Sequence, residues 1–300
     1  PKAIPDLTYE GYVDTYNEFY HPTNSRIFLD GDLPIDKVLA LIDSYLTNYT
    51  IGTKHEITPQ LPVSLEKDMY YEVSGDTKNK AYLSLAKIIG NYDEKVKVLA
   101  THVLADVLAG NNDAPLTRAI LTSKLGQDVR MNVYDGVAQP WFAIRVDNIN
   151  NDDANAIKDI IKNCVQDLVN NGIDKKELRA SINAFSYQLK ETREPQGLER
   201  GISAYDAWLY NGDPMTFLNF DEAIKQLNEM AESNAFETLL EELVLYEEGL
   251  CTLHTLPSLT YGEETRAQEK ARLAKEKAEM SEAALNDVIA KAEALAKWQN

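Results

Sequence analysis

This 300-residue chain predicts an α+β fold: a mixed or mostly antiparallel sheet with helices packed on one face, followed by a C-terminal helical hairpin. Three observations predict it. Short β-type runs interleave with helical stretches early, and helices accumulate later. Links such as Ser74-Gly75-Asp76-Thr77 have the turn chemistry of hairpins rather than of long crossovers. The tail from Thr260 to Asn300 has no Pro, one Gly, and is rich in Ala, Glu and Lys.

The elements follow in order. Tyr9, Tyr12, Val13, Tyr16 and Tyr20 share one face of a first helix, with Thr8 as N-cap and Pro22 as stop. Residues 25–29 read as a strand, and Asp30-Gly31-Asp32-Leu33-Pro34 as a turn. Val38, Leu41, Ile42, Tyr45 and Leu46 repeat at helical period. Pro59 and Pro62 mark an extended connection before two strands at 69–73 and 81–89. The stripe Val96, Leu99, Ala100, Val103, Leu104, Val107, Leu108 makes a helix ended by Gly110, and a short helix runs from Pro115 to about Lys124. Strands are expected at 128–134 and 141–146, then helices at 152–171 and 174–192 with Gly172 and Asp174 between them. Further helices are expected at 198–210, 221–232 and 236–246, and a sixth strand at 251–256. In the tail, Leu285, Val288, Ile289, Ala292, Leu295 and Ala296 lie on one face, and Met280-Ser281 breaks the two arms. The first arm is expected to be solvated, and the apolar stripe of the second to pack on the body or a neighbour. Residues 1–259 and 260–300 are thus two units, body and hairpin.

Composition bounds the function. Thirty Lys and Arg against 48 Asp and Glu give a net charge of −18. That opposes binding to nucleic acid or to anionic lipid, both of which need clustered cations. No stretch of 18 apolar residues occurs. The start Pro1-Lys2-Ala3-Ile4-Pro5-Asp6 lacks the basic and apolar runs of a signal peptide, and the absence of an initial Met points to a processed chain or a piece of a longer one. Cys164 and Cys251 sit in apolar periodic segments and read as buried free thiols of a reducing, intracellular compartment, cytoplasmic or an organelle matrix.

A search for catalytic chemistry returns nothing: no catalytic, cofactor-binding or metal-ligating residue is assigned. His21, His55, His102 and His254 form neither H-E-x-x-H nor H-x-x-E-H; His55-Glu56 begins the first pattern, but Pro59 stands where the second imidazole belongs. There is no G-x-S-x-G, no phosphate-cradling loop and no thiol among basic neighbours. Asp152-Asp153, Glu241-Glu242, Glu247-Glu248 and Glu263-Glu264 are adjacent on helices and diverge by about 100°. The 147–153 run fails as a calcium loop because Ile149 occupies an oxygen-donor position.

Three stretches carry a resemblance. Leu7-Thr8-Tyr9-Glu10 leading to Phe19-Tyr20-His21-Pro22-Thr23-Asn24-Ser25 and Gly31-Asp32-Leu33 is similar to the entry of the second domain of insulinase-superfamily (pitrilysin-type) zinc peptidases. Leu108-Ala109-Gly110-Asn111-Asn112-Asp113-Ala114-Pro115-Leu116 through Leu125-Gly126 resembles a segment of the presequence-protease branch, which includes falcilysin; Ala114 stands where that branch has Ser. The hairpin after Leu256-Pro257-Ser258-Leu259 resembles the linker that joins two halves of a longer chain in that branch. The resemblance implies that H-x-x-E-H and a distal Glu ligand lie in a separate first domain. There, zinc-activated water would cut an unfolded peptide held between two halves of a chamber. This chain would be a non-catalytic chamber wall and hinge, inactive alone. Its implied partners are the catalytic domain, the second half of its own chain and an enclosed peptide. An inactive partner subunit of the same superfamily and a helical adaptor are the alternatives. With the tail near neutral, −17 falls on residues 1–259. An acidic wall would suit cationic peptides such as targeting presequences; ordinary solubility charge is the competing reading.

Overall fold

The computed structural model describes residues 3–191 and 195–299. Pro1, Lys2, Asn300 and the expected helix end at Thr192 lie outside the described residues.

A five-stranded sheet organises the body. Its strands are β1 (Leu65–Glu72), β2 (Ala81–Ile88), β3 (Asp128–Tyr134), β4 (Trp141–Ile149) and β5 (Cys251–Ser258), in spatial order β1-β5-β2-β4-β3. β1 runs parallel to β5, and every other pairing is antiparallel. The hairpin expected between β1 and β2 is therefore not a pair: the turn at Gly75 is present, but the last strand of the body inserts between them. Pro257 has no N–H to donate, and it falls past Thr255, the final residue of β5 paired with β2.

One face of the sheet is covered by helices. α3 (Lys95–Ala109) and α4 (Pro115–Ser123) lie against β3, while α5 (Ala154–Asn171), α6 (Lys175–Lys190), α8 (Asp221–Ala231) and α9 (Ala235–Leu240) complete the layer. α7 (Gln196–Trp208) stands between α6 and α8 in sequence. The register puts Leu83, Leu85, Phe142, Ile144, Val146, Val129 and Met131 on the covered side, where they meet Leu104, Leu108, Ile120, Ile157, Ile161, Leu178 and Phe236. Asp174 caps α6 as expected, accepting from the Lys176 amide at 2.8 Å. The helix expected over 236–246 changes pitch: after α9, residues Glu241–Leu245 form a wider π turn, and the Lys87 ammonium donates to the Glu242 and Tyr246 carbonyls at 2.8 and 3.0 Å.

The flanks are built differently. α1 (Tyr9–Phe19) begins at Thr8, whose hydroxyl accepts from the Gly11 amide at 3.0 Å, and α2 (Ile35–Leu46) follows; neither buries a residue. The strand expected at 25–29 does not form. That segment is extended, but it lies along α7 instead of a strand: the Tyr205 hydroxyl accepts from the Phe28 amide at 3.2 Å and donates to the Arg26 carbonyl at 3.0 Å. A side chain thus satisfies backbone groups that a ladder would otherwise take.

At the other end, α10 (Tyr261–Glu279) leaves β5. Gly262 is buried where an added Cβ would lie 2.0 Å from the Glu72 carboxyl carbon, and Arg266 grips that carboxylate through two bonds of 2.8 and 2.9 Å. α11 (Glu282–Gln299) starts after the expected break, with Ser281 Oγ accepting from the Ala284 amide at 3.2 Å. The expected packing of its apolar stripe on the body is absent among the described residues: no α11 side chain is buried and Trp298 is 83% exposed.

Candidate functional site

Strand alternation gives the sheet a second face, opposite the helical layer. It carries Leu65, Lys67, Met69 and Tyr71 from β1, Leu253 and Thr255 from β5, and Tyr82 and Ser84 from β2. Trp141, Arg145 and Asp147 from β4 and Asp128, Arg130 and Tyr134 from β3 complete it. Trp141, Tyr134, Met69 and Leu65 are 36–51% exposed, whereas Leu83, Phe142 and Ile144 on the other side are at most 1% exposed. Among the described residues no helical layer covers this face, and it is not polar in the way a solvated sheet face usually is.

Its centre is an ordered row. Asp147 is almost fully enclosed because Arg130 and Arg145 close over it, Arg145 Nε at 2.5 Å from one oxygen and Arg130 bonded to the other. That carboxylate holds the Arg130 guanidinium above its ordinary value. The Arg145 guanidinium lies 4.4 Å from the Tyr82 ring centroid, and Tyr82 lies 6.0 Å from Tyr71, whose hydroxyl donates to the Lys80 carbonyl at 2.5 Å. Burial raises the Tyr71 phenol. At the β3–β4 end, Tyr134 and Trp141 stack at 3.9 Å and 12°. The row offers guanidinium donors, ring faces and apolar ridges. Among the described residues none of its groups is a nucleophile hydrogen-bonded to a base.

The acidic excess expected from the composition is not on this face. Lys67, Arg130 and Arg145 stand against Asp128 and Asp147, a net +1. The acidic excess lies on the helices, on the loops and on the opposite side of β1, at Glu66, Asp68 and Glu72.

The residues weighed in the sequence are scattered. His21 Nδ1 accepts from the Thr23 amide at 3.2 Å, and Asn24 and Thr23 accept from the His55 and Gly52 amides. The motif that carried the resemblance is thus a structural turn fastening the end of α1 to residues 52–55. His55 lies 3.4 Å from Glu18 and against Phe19. His102 meets Asp135 at 3.0 Å. His254, on the helical side, bonds Asp68 at 3.1 Å and sits 3.4 Å from Glu66, whose carboxyl the Lys158 ammonium holds low. Among the described residues no three His, Cys, Asp or Glu side chains come together as metal donors. The acidic pairs do not converge: Glu242 binds Lys97 and Glu247 binds Lys162, at 2.6 and 2.8 Å. The thiols are half-buried rather than buried. Burial pushes Cys164 up to about 11, and Cys251 Sγ lies 3.1 Å from the Val63 carbonyl. Sequence reasoning missed the Arg130–Asp147–Arg145 cluster. The signal was available: Asp128-Val-Arg130 and Arg145-Val-Asp147 each place opposite charges two apart, hence on one strand face.

Comparison with known proteins adds a family. Residues 6–185 match the family described as "Peptidase M16 inactive domain". Protein HypA of Clostridium perfringens is 32% identical over 96% of this chain, which spans 31% of HypA. Presequence protease 1 of Arabidopsis thaliana, chloroplastic/mitochondrial, is 26% identical over 98% of this chain, which spans 29% of it. The chain therefore covers about three tenths of the length of these relatives. Among solved structures, a protease from Helicobacter pylori aligns over 85% of this chain and 60% of its own, with TM-score 0.63 at 15% identity. A peptidase M16 inactive domain from Pseudomonas fluorescens aligns over 86% and 60%, with TM-score 0.63 at 17% identity. At these identities the structural likeness concerns the fold.

Proposed function

The chain belongs to the peptidase M16 inactive-domain family, and from that premise we propose that it forms a non-catalytic wall of the peptide-degrading chamber of a longer zinc metalloendopeptidase. In this reading residues 1–259 are the inactive peptidase-type domain, and residues 260–300 link it to a second half of the chain. The names of the presequence-protease relatives and the fraction of their length that this chain spans support it.

The observation that carries the proposal is a pair of bare surfaces. The strand face opposite the helices displays aromatic rings and the Arg130–Asp147–Arg145 row, while α1 and α2 keep their apolar sides outside any core. A domain that lines a chamber with one surface and docks on neighbouring domains with the other uses both. The catalytic domain and the second half of the chain are the proposed docking partners, and an extended oligopeptide the proposed occupant. No helix of the described residues is long and apolar enough to cross a membrane, and a reducing intracellular compartment is proposed from the two free thiols.

Zinc does not fit the described residues of this chain, which bring no three donors together, so the metal and its base are proposed to come from the catalytic domain. What this face contributes is positioning. Arg145, 46% exposed, can donate to peptide carbonyls, and the Tyr82, Trp141 and Tyr134 rings can cover apolar side chains. Contacts of that kind act on ground state and transition state alike, so they lower KM more than they raise kcat.

Two measurements test the reading. The chain alone is expected to take up no stoichiometric zinc in calorimetry and to leave a quenched peptide uncut; tight one-to-one zinc binding with cleavage would overturn it. In the full-length protease, Arg145→Ala and Tyr82→Ala are expected to raise KM for an oligopeptide about three- to tenfold at unchanged zinc content. An unmoved KM would detach this face from the substrate.

A further inference from the structure

We propose that the cavity enclosed by α3, α6, α7 and the β3–β4 turn binds a small organic cation, an alkylammonium or alkylguanidinium. The cavity measures about 250 Å³, just under the roughly 300–1,000 Å³ of drug-sized sites, which indicates a small ligand. It lies on the helical side of the sheet, apart from the bare strand face, and the inference stands without the chamber reading.

The walls come first. Tyr92, Phe185, Phe217 and Phe220 line the space. One cation is already held by these rings: the Lys95 ammonium sits 4.1 Å from the Phe220 centroid and 5.7 Å from that of Phe217. Two of its three donors go to the Thr216 carbonyl at 2.7 Å and to the Asn219 carbonyl. The cavity therefore demonstrates with its own side chain the ring-face attraction that a second cation would use.

The charges come second. Two carboxylates line the same cavity, Asp135 from the turn after β3 and Asp206 from α7. Asp135 is shared with His102, their nearest atoms 3.0 Å apart, and the imidazole stacks on Phe185 at 5.2 Å. Asp206 has no hydrogen bond or ion pair with a described residue; burial and the neighbouring Asp135 both push its carboxyl up. Leaving the His102 imidazole aside, the two carboxylates outnumber the Lys95 ammonium by one in this cavity.

The backbone comes third. Gly136 brings the turn against this carboxylate: its φ is +69°, and an added Cβ would lie 3.0 Å from Asp206 Oδ1. The Tyr210 hydroxyl donates to the Gly136 carbonyl at 3.2 Å and holds the turn there. A carboxylate kept partly buried with no partner costs stability. An ammonium or guanidinium removes that cost, and the rings take up its methylenes.

Calorimetric titration of agmatine into the 300-residue chain tests the site. One-to-one binding is expected, weakened about tenfold or more by Asp206→Asn, as loss of a charge-assisted bond requires. Asp135→Asn should weaken it as well, while uncharged valeramide of similar length should not bind. A second arm uses N-acetyl-arginine amide: binding of this probe alone assigns the cation to a peptide side chain, and binding of agmatine alone assigns it to a free amine. The proposal is overturned if both folded variants keep the parent affinity, if valeramide binds as well as the cations, or if neither cation binds more tightly than about 10 mM.

Discussion

The second and third helices invite comparison. Both set apolar residues at helical spacing along one face. In α3, Leu104 and Leu108 are fully buried between β3 and the rest of the helical layer. In α2, Leu41 is 59% and Tyr45 70% exposed, and no residue is buried. The first and last helices repeat the contrast: α1 and α11 bury nothing, whereas α6 buries Leu178 and Ile182. What separates them is the presence of a second layer. Periodicity specifies that a face exists; only a surface of matching shape can cover it.

The most direct way to break this contrast is a matched pair of truncations. Leu104→Ala should lower unfolding stability by about 2–5 kcal/mol through cavity formation. Leu41→Ala should change it by no more than about 0.5 kcal/mol. Equal shifts in denaturant midpoint would mean that α2 is covered in solution, by a second copy or by the body. A smaller effect comes from the caps. Asp174→Ala, at the head of α6, should cost about 1 kcal/mol of global stability. Thr8→Ala should reduce helical circular dichroism and leave the main unfolding midpoint in place, because α1 is not part of the cooperative core.

The smallest effect sharpens the comparison inside the body, between two carboxylates of one cavity. His102 holds the Asp135 carboxyl below its ordinary value of 3.8. A depressed folded pKa contributes stability above that ordinary value and loses it as pH falls through the folded one. Asp135→Asn should therefore be less stable than the parent at pH 7, the gap closing below pH 3.8. Asp206 has the opposite sign: its raised carboxyl disfavours the folded state once ionised. Asp206→Asn should melt higher than the parent at pH 7 and match it in acid. Both shifts are modest because these side chains are only partly buried. Thermal melts across about pH 2.5–8, which brackets the ordinary carboxylate value, separate the two; parallel curves for both variants would contradict the assigned partners.

Much of the candidate site was within reach of the chain's alternation. Val129 and Met131 face the core because polar neighbours alternate with them, and the same alternation puts Arg130 on the other side with Arg145 and Asp147. Their convergence depends on β3 and β4 pairing in this register, which a single strand does not encode. The four histidines illustrate the converse: each was visible, and each turned out to orient a turn or meet a carboxylate.

Helix limits, caps and breaks are local events, settled within one or two turns by side chains that satisfy nearby backbone groups. Thr8, Pro22, Gly172, Asp174 and Ser281 therefore acted where the sequence placed them. Strand partners are not local. The insertion of β5 between β1 and β2, and the docking of residues 25–29 on Tyr205, join positions more than 160 residues apart. Such choices follow from which apolar surfaces the whole helical layer leaves open, and that layer exists only once the chain has folded.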